Sequence, residues 1–260
     1  MSDTLIVTIQ NGRADVVLNR PGIHNAFDDR LIAELTDVFE QLGGDKTVRA
    51  VVLSGAGKSF SAGGDLNWMR QFANYSFDEN VADAKKLARL MQALDEMPKP
   101  TIARVQGAAY GGGVGLVACC DIAVAVPAAG FCLSEVKLGL IPAVISPYVV
   151  AAIGEREARR YFLTAGRFDA AQAFRLGLIH ELAEDERQMD EIIAGWVGHL
   201  IANGPEAVAA SKDLIRAVAR RPTDDTLRDE TARRIAERRA SPEGQEGLSA
   251  FLEKRKPSWS

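Results

Sequence analysis

Five short runs rich in β-branched residues, Leu5–Thr8, Asp15–Leu18, Ala50–Leu53, Thr101–Val105 and Ile122–Val126, alternate with longer segments of helical spacing, chiefly Asp28–Leu42 and Glu79–Met97. A strand turns its side chains to opposite faces in succession, whereas a helix buries one stripe. A chain that alternates the two must therefore stack them in layers. The order predicts an α/β core. From about Glu155 onward strand signals nearly vanish, and Arg187–Ile201, Pro205–Ala219 and Thr223–Arg239 carry helical spacing with polar faces. Pro222 and Pro242 begin or bound the last helices, because proline is tolerated in the first helical turn but not in the interior.

The chain has 260 residues, close to half of them apolar, which is enough to bury a sizeable core in one unit. A net charge of −4 gives no broad attraction for nucleic acid, so any anion must be held by a local cluster. The three cysteines, Cys119, Cys120 and Cys132, are odd in number and include an adjacent pair that suits neither a metal spacing nor a local disulfide, which fits a reducing cytoplasm. Met1 to Gln10 lacks a basic start before an apolar core, and no apolar run approaches the ~20 residues that span a bilayer. Neither export nor membrane insertion is expected.

Several glycine-rich stretches invite wrong readings. Gly55-Ala56-Gly57-Lys58-Ser59 imitates a phosphate loop, but that pattern needs a glycine where Val52 stands. Gly113-Val114-Gly115 with Ala118 imitates a dinucleotide fingerprint, yet no acidic residue follows a second strand about 20 positions on to hold a ribose. More informative are two small-residue turns, Ser61-Ala62-Gly63-Gly64-Asp65 and Gly111-Gly112-Gly113, each placed after a predicted strand and before a helical pattern. Glycine lets a backbone approach a ligand closely, and N–H groups at a helix start carry partial positive charge. Two such turns facing each other would stabilise a developing oxyanion. Either turn alone reads more readily as a tight connection or a site of close packing.

The run Lys58-Ser59-Phe60-Ser61-Ala62-Gly63-Gly64-Asp65-Leu66 resembles the signature of the enoyl-CoA hydratase/isomerase (crotonase) family. So does Val105-Gln106-Gly107-Ala108-Ala109-Tyr110-Gly111-Gly112-Gly113 followed by Ala118-Cys119-Cys120-Asp121-Ile122. Asn19-Arg20-Pro21 with Asn25-Ala26-Phe27, Glu135 to Pro142, and Ala170 to Leu178 extend the likeness over nearly the whole chain. The resemblance implies a spiral of ββα turns over residues 1–200 and a C-terminal helical trimerisation region over 201–260. It also implies homotrimers or dimers of trimers, an acyl-CoA substrate, and neither a metal nor a separate cofactor, CoA being part of the substrate. By motif position it puts the oxyanion-hole N–H groups on Gly64 and Gly112. It puts the CoA cleft along Ala26, Ala62, Gly63, Asp65, Leu66 and Gly111, with Phe251 and Lys254 reaching a neighbour's CoA.

Hydratases of this family hold a water between two glutamates. Here the second is present at Glu135, and Gly115 stands where the first would be, so the two-glutamate mechanism is in doubt. Hydration remains possible if Glu135 deprotonates the water and returns a proton to the α-carbon while Gly64 and Gly112 carry the enolate charge. Gly111 to Gly115 with Leu133 to Tyr148 is most similar to bacterial hydratases of 3-methylglutaconyl-CoA and isohexenylglutaconyl-CoA, of leucine and acyclic terpene catabolism. Such substrates carry a second carboxylate, and Lys137 is the cation nearest Glu135 in sequence. Isomerisation or decarboxylation of a related thioester is the alternative enzyme reading. A non-catalytic acyl-CoA or RNA-binding trimer is the alternative of another class.

Other residues read as structural. His24, His180 and His199 are scattered, and no G-x-S-x-G elbow surrounds Ser59 or Ser61. The basic stretch Arg233-Arg234 to Arg238-Arg239, with Glu237 between, reads as a solvated face or subunit contact. Trp68, Met69, Phe72 and Tyr75 read equally as the lining of an acyl pocket and as the packing of a helix.

Overall fold

The computed structural model describes residues 3–259; Met1 and Ser2 of the N-terminal stretch, and Ser260, lie outside the described residues. Ten strands form two sheets. The larger contains β1 (Leu5–Gln10), β2 (Arg13–Leu18), β3 (Ala50–Gly55), β5 (Thr101–Val105), β7 (Ile122–Ala125) and β10 (Glu181–Leu182) in that spatial order. The smaller contains β4 (Ser59–Ser61), β6 (Ala108–Tyr110), β8 (Gly130–Cys132) and β9 (Phe168–Asp169). Among the described residues only the hairpin β1–β2 and the pair β8–β9 run antiparallel. The parallel neighbours β3, β5 and β7 require crossovers, which helices supply.

The helices are α1 (Asp29–Gly44), α2 (Leu66–Gln71), α3 (Phe77–Asp95), α4 (Gly112–Cys119), α5 (Ser146–Thr164), α6 (Ala170–Leu176), α7 (Glu186–Ala202), α8 (Pro205–Val218), α9 (Asp225–Ala240) and α10 (Pro242–Leu252). Three successive passes repeat one pattern: a strand in the large sheet, a short strand in the small sheet, then helix. They are β3–β4–α2/α3, β5–β6–α4 and β7–β8–α5. This is the ββα spiral that the motifs imply. The sequence reading ran the strands Ala50–Leu53 and Thr101–Val105 toward the glycine turns, but β4 and β6 intervene. At three residues each, they are too short to show a period of two. Likewise β9 and β10 add two short strands beyond Glu155, where the sequence showed almost none.

Local chemistry explains where the helices start. Asp28 accepts from Leu31 N at 2.8 Å to cap α1, and its stripe Leu31, Ile32, Leu35, Phe39 and Leu42 is buried. Burial of such side chains contributes about 1.5–3 kcal/mol apiece. Ser76 and Glu79 form a reciprocal capping box at α3. The large sheet is buried on both faces. Val51 and Leu53 enter the core beneath α1 and α3, while Ala50 and Val52 pack with Ile102, Val124 and the Met189, Ile193 and Val197 stripe of α7. This is why β3 reads as a nearly unbroken apolar run.

The C-terminal helices are tied to the beginnings of the parallel strands. Arg49, just before β3, donates to Ile201 O and Asn203 O. Lys212 Nζ pairs with Asp121 Oδ2 at 2.8 Å, and the same oxygen accepts from Thr101 N at 2.8 Å. Glu243 caps α8 by accepting from the Glu206 and Ala207 amides. No helix among the described residues is long and apolar enough to cross a membrane.

Candidate active site

The first glycine turn is held from beneath by Asn25. This residue is fully buried, with φ 56, and its Nδ2 lies 3.0, 2.8 and 3.2 Å from the carbonyls of Ala56, Ser59 and Phe60. Its Oδ1 accepts from Arg20 N, and Ser61 Oγ donates to its carbonyl at 2.9 Å. Ala62 N donates to His24 O. Gln106 Nε2 adds a second brace, donating to Gly55 O and Ser59 O. Residue 64 then meets Phe27 in a single parallel bridge: Phe27 N donates to Gly63 O and Asp65 N donates to Phe27 O, each at 2.7 Å. Because the flanking peptides make those bonds, the Gly64 N–H points away from Phe27 and finds no acceptor among the described residues.

The second turn opens α4. Gly111 has φ 50 and ψ −118, a region effectively reserved for glycine, and its N–H donates to Cys132 O at 2.9 Å. As the first residue of the helix, Gly112 has an N–H without an intrahelical partner, and it too meets no acceptor among the described residues. A Cβ on Gly112 would lie 2.7 Å from Phe27 Cε2, and one on Gly113 2.6 Å from Ser61 O. Phe27 thus hydrogen-bonds to one turn and packs its ring on the other, which sets the spacing between the Gly64 and Gly112 amides.

Glu135 opens a short 3₁₀ turn, Glu135–Leu138, after β8. Its Oε1 is 3.1 Å from the place a Cβ on Gly111 would occupy, so the carboxyl stands directly over the second turn. Its Oε2 is buried and has no hydrogen-bond partner. Burial raises the Glu135 pKa above its ordinary value, and a hydrogen bond from its own backbone offsets only part of that shift. At Gly115 there is no room for a side chain: a Cβ there would fall 2.3 Å from Ile145 Cγ2, with Met91 Sδ at 3.3 Å.

The remaining sequence candidates divide. Ala26 and Gly63 are buried beside the first turn, Ala62 is half-buried, and Leu66 is 71% exposed. The Asp65 carboxylate accepts from Asn67 N and Trp68 N, so its side chain caps α2. Phe251, 80% exposed, and Lys254 lie on the C-terminal section, where α10 packs on α8 and α9. That section is anchored at the beginnings of β3, β5 and β7.

Met69 lies beside Gly64, 3.4 Å from where a Cβ would be, while Trp68 is buried and meets Phe72 edge to face. His24 Nδ1 lies 3.0 Å from Ser59 Oγ, and His180 Nδ1 accepts from Ala123 N, so both are structural. The sequence reading did not assign roles to Phe27, Asn25, Gln106 or Ile145. A buried asparagine and glutamine beside the glycine motifs were the one visible signal.

Unpaired amides on two neighbouring glycine turns and a desolvated carboxylate can hold a carbonyl oxygen as charge develops on it while moving a proton at the adjacent carbons. The enoyl-CoA hydratase/isomerase family model matches residues 8–260. An enoyl-CoA hydratase structure from Shewanella pealeana is 50% identical, covers 98% of this chain and 96% of that one, and superposes with a TM-score of 0.96. An enoyl-CoA hydratase of Alternaria alternata is 35% identical over 93% of this chain and 79% of its own length. A crotonyl-CoA hydratase of Syntrophomonas wolfei is 30% identical over 99% of this chain and 98% of its own.

Proposed function

The chain belongs to the enoyl-CoA hydratase/isomerase family, as a hydro-lyase of the enoyl-CoA hydratase type, and on that premise we propose that its substrate is a branched, 3-substituted glutaconyl-CoA. The observation that carries the mechanism is the Glu135 carboxylate, desolvated and unpartnered over the Gly111–Gly112 turn. In the proposed reaction the thioester oxygen accepts from the Gly64 and Gly112 N–H groups. Glu135 takes a proton from water, the water oxygen bonds to C3, and the C2–C3 π electrons pass into an enolate held by the two amides. The carboxyl then delivers a proton to C2, so one water has been added and Glu135 is again a carboxylate. The reaction so written draws on the thioester, one water and these residues.

The branched substrate is supported by the segments Gly111 to Gly115 and Leu133 to Tyr148, which resemble hydratases of 3-methylglutaconyl-CoA and isohexenylglutaconyl-CoA. Lys137, exposed in the same 3₁₀ turn as Glu135, is the cation proposed to meet the distal carboxylate. Homotrimers or dimers of trimers fit the apolar residues left exposed on the C-terminal helices, Ile215, Ile235, Leu248, Phe251 and Leu252. In such an assembly Phe251 and Lys254 would serve a neighbour's CoA. Three free, buried cysteines fit a reducing cytoplasm. An RNA-binding role draws little support from the basic helix, because its Arg228, Arg234 and Arg238 are engaged in ion pairs.

The test is to offer 3-methylglutaconyl-CoA, isohexenylglutaconyl-CoA, crotonyl-CoA and a 3-enoyl-CoA to the protein and to Glu135→Gln, following products by mass. Gain of one water on a glutaconyl thioester, lost in the variant, supports the proposal. Preference for crotonyl-CoA overturns the substrate. A migrated double bond or released carbon dioxide would move the chain to the isomerase or decarboxylase reading.

A further inference from the structure

We propose that Ile145 is a specificity-determining residue: it occupies the one place on the first turn of α4 from which a second titratable side chain would enter the site, and so commits the protein to acid–base chemistry by Glu135 alone. The inference rests on the reading of Glu135 given above.

Residues three and four apart share a helix face, so Gly115 lies on the same face as Gly111 and Gly112. That face is the site's own. Gly111 is apposed to Glu135 Oε1, and Gly112 presents its free N–H there. A side chain at 115 would start from that face, one turn along α4 from the unpaired Gly112 N–H. Its first carbon would lie 2.3 Å from Ile145 Cγ2 and 2.9 Å from Ile145 Cβ, closer than non-bonded carbons approach. Ile145 has little freedom to withdraw. It is 3% exposed, it is the residue from which α5 begins, and its carbonyl accepts from Val149 N. The second neighbour, Met91, is itself fully buried and in contact with Cys119 at 3.7 Å between sulfurs. Ile145 and Met91 thus fill the space a side chain at 115 would enter, and Gly115 with Ile145 behaves as a coupled pair: neither position accepts a polar group unless the other yields its space.

The experiment is a double-mutant cycle with two readouts. Gly115→Ala should lower the Tm by roughly 5 °C or more through overpacking, and adding Ile145→Gly should recover much of that loss although Ile145→Gly alone also lowers it. Additive losses would overturn the coupling. For the chemistry, Gly115→Glu/Ile145→Gly is compared with Gly115→Gln/Ile145→Gly, which matches it in size. The proposal expects a second ionisation in the pH dependence of kcat for the Glu form and not for the Gln form. Indistinguishable profiles would overturn it. Wild type and Glu135→Gln are run alongside: if these two turn over equally, the reading of Glu135 has failed, which is separable from a failed cycle.

Discussion

Gly111 and Glu135 are apposed so closely that a single methyl group on the glycine would sit 3.1 Å from the carboxylate oxygen. The same glycine holds φ 50 with ψ −118, so it is constrained twice, by its own backbone and by its neighbour. Gly111→Ala should cost about 1–3 kcal/mol in strain. By displacing Glu135 it should lower kcat about 10²-fold. Thermal unfolding and steady-state kinetics on one preparation check both, and a variant with normal kcat would mean the carboxylate does not act from this position.

Glu135→Gln should lower kcat by about 10²–10⁴-fold with little change in KM, because the amide keeps the volume and loses the proton transfer. In wild type the acid limb of kcat should lie above the ordinary glutamate range, since burial raises this carboxyl's pKa and only the ionised form can take a proton from water.

The same raised pKa has a consequence for stability. The folded state binds the proton more tightly than the unfolded chain, so the desolvated charge costs stability above the raised pKa, and that cost fades as pH falls through it. Glu135→Gln should therefore unfold at a higher temperature than wild type in mildly alkaline buffer, with the gap closing toward acid pH. A gap that widens as pH falls would contradict the assignment.

Asn25 carries both a left-handed backbone and three side-chain contacts to the carbonyls of Ala56, Ser59 and Phe60, on the segment that leads into the first glycine turn. Asn25→Ala should destabilise by about 2–4 kcal/mol, from unsatisfied carbonyls and an unfavourable φ. Asn25→Gly keeps the backbone free and should recover about 1 kcal/mol of that. Both should still lower kcat, because the Gly64 amide loses its support. Chemical denaturation of the two variants separates the contributions.

Lys137→Ala should raise KM about 3- to 10-fold for a glutaconyl thioester and leave that for crotonyl-CoA unchanged, as expected for an exposed cation meeting one extra carboxylate. An equal rise for both substrates would place Lys137 on the shared CoA moiety instead.

What the sequence determined by itself is whatever is encoded within a turn or two of chain. The five β-branched runs became β1, β2, β3, β5 and β7, and the amphipathic stretches became α1, α3, α7, α8 and α9 within a few residues of their expected ends. Pro242 opens α10, and the glycine motifs mark the turns before α2 and α4. Only the tertiary structure decided how those turns face each other. The small sheet that carries them is made of strands too short to have a pattern of their own, held in place by partners such as Asn25 and Gln106 from distant segments. Phe27 reads in the sequence as one more apolar residue, yet its backbone bonds to one glycine turn while its ring packs on the other. Gly115 shows in the sequence that a carboxylate is missing, but not what stands in its place. That is a question of occupied volume, and volume near a residue is set by whatever the fold packs there, here Ile145 and Met91 from other helices, rather than by its neighbours along the chain.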